Sequence, residues 1–112
     1  MLFRSYTAGK AVTTGTDNTF IGFAGGQTTT GSKNTAVGST ALFSNTTANN
    51  NTAVGYQAGY SNSDASGNTF IGYQAGYTGV NSSLNTFIGY KAGYTAQKIG
   101  VGNNVKIGRA HV

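Results

Sequence analysis

The chain has 112 residues, a formal net charge of +5, only 8% charged side chains, and neither cysteine nor proline. That excludes a disulfide framework and a thiolate metal site, and it fits one domain. Leu, Ile, Val and Phe number only 21, but the small net charge and their recurrence in register argue against disorder; the weak helix formers Gly, Thr and Asn number 47, which argues against a helical bundle.

A ten-residue block recurs along the whole chain. In order it reads MLFRSYTAGK from Met1, NTFIGFAGGQ from Asn18, NTAVGSTALF from Asn34, NTAVGYQAGY from Asn51, NTFIGYQAGY from Asn68 and NTFIGYKAGY from Asn85. A partial copy, NVKIGRAHV, starts at Asn104. Such a near-constant period predicts a single parallel β-solenoid domain over 1–112, built of about seven short coils starting near 1, 18, 34, 51, 68, 85 and 104. The first coil is degraded: Arg4 stands where later blocks carry Ile or Val, as expected of an end coil. MLFRSYTAGK lacks the apolar run of a signal peptide, and no stretch approaches membrane-spanning length. The expectation is a chain assembled in the cytoplasm or a segment of a longer secreted protein.

Within each block, Thr-x-Ile/Val alternation predicts a short strand. The β-branched position (Ile21, Val37, Val54, Ile71, Ile88, Ile107) is never polar and is assigned to the inward core column. The position before it (Phe20, Ala36, Ala53, Phe70, Phe87) varies between large and small. It is assigned to an outward surface that meets other chains. Gly22, Gly38, Gly55, Gly72, Gly89 and Gly108 mark a bend or close backbone approach. The leading Asn of each block suits a left-handed corner or an amide ladder. Tyr-x-Ala-Gly-Tyr is expected to form a second thin strand with small inward Ala. The linkers, such as SNTTANN and SNSDASG, have turn-forming compositions and are expected to be corners that tolerate insertion.

Asn-Thr-x-Ile/Val-Gly followed by a small-residue segment resembles the head repeats of trimeric autotransporter adhesins of the Yersinia adhesin type. The Tyr-Gln-Ala-Gly-Tyr version with Ser/Asn-rich linkers is also similar to repeat arrays of phage tail fibres. The resemblance spans roughly residues 18 to 108. It implies a left-handed parallel β-roll, a homotrimer, and an extracellular setting on a cell surface or virion fibre. No coiled-coil heptads and no membrane anchor accompany it.

Catalytic chemistry is sparse. Asp17 and Asp64 fall in linkers almost three coils apart, on the order of 13 Å, too far for paired-carboxylate work. His111 has no partner of suitable type. Metal and cofactor sites are not expected, since the linkers carry Ser, Thr and Asn where calcium-binding solenoids carry Asp. FAGGQTTTGSK (Phe23 to Lys33) ends in Gly-Ser-Lys, the wrong order for a phosphate loop. Two aromatic columns stand out: Tyr56, Tyr73 and Tyr90 with Phe23, and Tyr60, Tyr77 and Tyr94 with Phe43. They are candidates for a glycan- or protein-binding face, weighed against ladders that simply brace the coils. Lys91, Lys98, Lys106 and Arg109 form a late basic cluster, but no nucleic-acid reader motif accompanies it. The Thr19, Thr35, Thr52, Thr69, Thr86 column raises ice binding. A single Thr row on the parity assigned to the core weighs against it. The expected role is therefore a non-enzymatic structural or adhesive module of a trimeric fibre. The alternative is a filament subunit that stacks end to end.

Overall fold

A computed structural model describes residues 2–4, 6–27, 30–78, 81–95 and 103–109, the first three as backbone only. Seven three-residue strands form one parallel sheet in sequence order: β1 (Leu2–Arg4), β2 (Thr19–Ile21), β3 (Thr35–Val37), β4 (Thr52–Val54), β5 (Thr69–Ile71), β6 (Thr86–Ile88) and β7 (Val105–Ile107). Each pairs with the next, and from β2 to β6 the register sets Thr beside Thr and Ile or Val beside Ile or Val. The architecture is the expected all-β parallel solenoid. About five turns join β1 to β6, fewer than the seven expected, because seven strands bound only six turns and the last passes through residues 96–102, outside the described set.

The return path is not a second strand. Tyr-Gln-Ala-Gly-Tyr is built from turns, because Gln57 (φ 55°) and Gly59 (φ 62°) both enter the left-handed region, and the next coil repeats this at Gln74 and Gly76. A chain that reverses curvature at alternate residues cannot stay extended. The returns still hydrogen-bond from coil to coil: Gln57 N–H donates to Ser39 O at 3.0 Å, and Gly59 N–H donates to Ala75 O at 2.8 Å. Thr78 and Thr95 form an isolated bridge.

Burial reverses the expected strand parity. Phe20, Ala36, Ala53, Phe70 and Phe87 are fully buried and form the core with the Ala column of the return, Ala41, Ala58, Ala75 and Ala92. The assignment of those five residues to a chain-chain interface is therefore corrected. Val54 and Ile71 are exposed, Ile21, Val37 and Ile88 are half-buried, and Ile107 is exposed, so the β-branched column is not the core. The physical reason lies in a partner position six residues on. A Cβ at Gly93 would stand 2.5 Å from the Phe87 ring, so the ring occupies the space above glycine. Where the strand carries Ala36, the corresponding residue is Leu42, fully buried, which refills the volume. Gly59 lies between the two solutions, with Phe70 and Leu42 atoms where its Cβ would be.

Buried asparagines tie the coils together. Asn18, Asn34, Asn51, Asn68 and Asn85 are fully buried, and each Oδ1 accepts the backbone N–H of the asparagine one coil on, at 2.8 to 3.3 Å. Nδ2 groups reach corner carbonyls, as from Asn18 to Gly31 and from Asn34 to Ala48. The left-handed corner itself falls on the preceding residue, such as Lys33 (φ 60°) or Asn50 (φ 59°). A second ladder runs through the linkers. Ser32, Asn49, Ser66 and Ser83 each offer a side-chain oxygen to a backbone N–H of the coil before.

Candidate functional site

Two surfaces remain after the core is accounted for. The first is the outer face of the sheet. In a three-residue strand whose central side chain points inward, the outer two point outward together. That places the Thr row (Thr19, Thr35, Thr52, Thr69, Thr86) and the Ile/Val row (Ile21, Val37, Val54, Ile71, Ile88, Ile107) side by side on one face. Val54 is 37% exposed, Ile71 38% and Ile107 73%. A continuous stripe of branched apolar side chains is unusual for a surface left in water. The Thr row belongs to this outer face, so its expected inward parity is corrected too. Its neighbour is an apolar row, not a second Thr row.

The second surface is aromatic. Tyr56, Tyr73 and Tyr90 stack at 5.3 Å with interplanar angles of 16° and 8°. Phe43, Tyr60, Tyr77 and Tyr94 stack at 5.0 to 5.2 Å. The first set is exposed and the second half-buried. Because the rings lie face to face along the stack, they cover one another's π-faces and turn edges outward. The flat platforms that a glycan would use are mostly consumed by the ladder. Gln74 Nε2 donates to Gln57 Oε1 at 2.7 Å, adding an amide rung beside the rings.

The late cations cap these columns. Lys91 Nζ lies 5.5 Å from the Tyr90 centroid and 5.0 Å from that of Tyr94, and the Arg109 guanidinium lies 5.8 Å from Tyr90. At such distances cation–π attraction holds them over the end rings. Lys106 is exposed on β7, whereas Lys98 falls outside the described residues, as does His111. Asp17 and Asp64 are exposed, and among the described residues each accepts one hydroxyl, from its neighbour Thr16 or Ser63. Among the described residues no group of three His, Cys, Asp or Glu side chains assembles, and no helix is long and apolar enough to cross a membrane. A cleft of about 320 Å³ lies between β7 and the segment Ala92–Thr95.

Sequence reasoning missed the outer face because both strand columns are apolar. The signal that reveals it is the compensation of Phe with Gly and of Ala36 with Leu42 six positions later. No family model matches the chain, and no curated protein or solved structure matches it.

Proposed function

We propose that the chain is a non-enzymatic structural module of a multi-chain fibre, in which copies pack side by side through the Thr–Ile/Val face of the sheet. The observation that carries this reading is the unbroken Ile/Val row on the outside of a self-sufficient core. Burying such a row contributes about 25 cal/mol per Å² of apolar surface removed from water. Three copies around an axis parallel to the stack give each chain one such contact on either side, and the resemblance to trimeric adhesin heads and tail-fibre repeats supports that number. The setting is then a cell surface or virion fibre, with a rigid, glycine-pinned solenoid as display surface. The aromatic ladders serve mainly to brace it.

Sedimentation of the intact chain at micromolar concentration tests the reading. A trimer is expected, and a well-folded monomer overturns it. The exposure of β7, with Val105 at 66% and Ile107 at 73%, favours a second mode in which coil ends also meet. Negative-stain images decide between them: discrete short particles mean lateral association alone, and fibres of constant width mean end-to-end stacking.

A further inference from the structure

One rung is missing from the exposed aromatic ladder. The same position of successive returns carries Tyr6, Phe23, Ser39, Tyr56, Tyr73 and Tyr90, with Arg109 closing the end. Tyr6 stacks on Phe23 at 6.0 Å and 11°, and Tyr56 stacks on Tyr73 at 5.3 Å and 16°. Between Phe23 and Tyr56 stands only Ser39. The backbone does not close the gap, because Thr40 N–H donates to Phe23 O at 2.8 Å and Gln57 N–H to Ser39 O at 3.0 Å. Phe23 and Tyr56 are therefore two coil spacings apart, about 9.6 Å. Every other rung takes one spacing, so the room between these two faces is that of a single aromatic ring.

The slot is open. Phe23 is 52% exposed and Tyr56 45%. Among the described residues the Ser39 hydroxyl has no hydrogen-bond partner, so its floor offers one free donor and acceptor. The neighbouring ladder has no equivalent break, since Phe43 fills the same coil there and stacks on Tyr60 at 5.2 Å. We propose that the gap at Ser39 is a binding slot for one planar phenolic ring, sandwiched between Phe23 and Tyr56 with its polar edge at hand for the Ser39 hydroxyl. Thickness sets the selectivity: a saturated ring in a chair form is thicker than a rung and lacks the quadrupole that makes offset stacking favourable. The site lies on the return and not on the Thr–Ile/Val face, so it stands independently of chain association.

The test uses the intact chain and N-acetyl-tyrosinamide as probe, followed by amide NMR shifts. Saturable shifts are expected at Phe23, Ser39, Thr40 and Tyr56, with none for a methyl glucoside. S39Y supplies the missing ring within the chain, so it should lose the probe and melt at a higher temperature. Y56L removes one wall, and loss of one aromatic pair should weaken binding about tenfold; S39A keeps both walls and should still bind. Equal binding by the wild-type chain, S39Y and Y56L overturns the proposal. So does equal binding of the saturated sugar, or the absence of any saturable shift at these four residues.

Discussion

Asn68 shows how far a single side chain supports this fold. Its Oδ1 accepts Asn85 N–H at 2.8 Å and its Nδ2 donates to Ala65 O at 3.2 Å, all of it buried. Asn68→Ala orphans the Asn85 N–H and Asn62 Oδ1, while Ala65 O keeps the Asn62 Nδ2 donor at 2.9 Å, and each unsatisfied buried group costs about 1–3 kcal/mol. Chemical denaturation should show that loss for Asn68→Ala, while Asp64→Ala, fully on the surface, should unfold with the parent. Among the described residues two buried side-chain atoms have no partner, Asn45 Oδ1 and Asn51 Nδ2. They are complementary to one another, and one coil later the equivalent atoms of Asn62 and Asn68 are joined at 3.4 Å. The Phe/Leu exchange gives a sharper residue-scale test. Leu42→Gly should cost roughly 2–5 kcal/mol through the cavity it leaves, and Ala36→Phe should cost a few kcal/mol through overpacking. Combined, they recreate the Phe20-with-Gly26 pairing of the coil before and also relieve the positive φ of 48° at Leu42. The double variant should lose much less than the sum, and additive losses would show that the two positions do not share one volume.

At the scale of the element, the strand and the corner differ in how much they tolerate. The Gly55 backbone turns at φ 133°, and a Cβ there would lie 2.6 Å from Gly72 O in the next coil. Gly55→Ala must therefore push two coils apart, and a large fall in melting temperature is expected. The linkers are corners, as their composition indicates, but they are not slack: Ser66 Oγ accepts Asn49 N–H at 2.9 Å, and Ser66 N–H donates to Ser83 Oγ at 3.0 Å. An insertion of three Ser/Gly residues between Ser63 and Asp64 should cost little, since loop-closure entropy grows slowly with length. The same insertion between Ser66 and Gly67 should cost clearly more by thermal melts, because it displaces the ladder. Strand positions were legible from Thr-x-Ile/Val, and the close-packed Gly column from its recurrence. The bent return was not, since Gln57 carries no mark of a positive φ. The strand parity was not either, because Phe and Ile are equally apolar and three residues are too few for alternation to decide.

For the whole molecule, the question is whether another chain covers the outer sheet face, and two adjacent residues offer a test. Phe70 is fully buried with its ring 5.9 Å from that of Phe87, whereas Ile71 is 38% exposed beside Val54 and Ile88. Phe70→Lys places an unpaired ammonium inside a core with no acceptor for it, so the fold should be lost at any concentration. Ile71→Lys together with Val54→Lys sets two charges on a face that water can reach within one chain. That variant should keep its β-type circular dichroism but sediment as a monomer. Association adds to apparent stability by mass action, so the melting temperature of the parent chain should rise with its concentration and that of the variant should not. If the lysine pair leaves the sedimentation coefficient and its concentration dependence unchanged, the Thr–Ile/Val face is not where chains meet. If Phe70→Lys stays folded, the column from Phe20 to Phe87 is not the core.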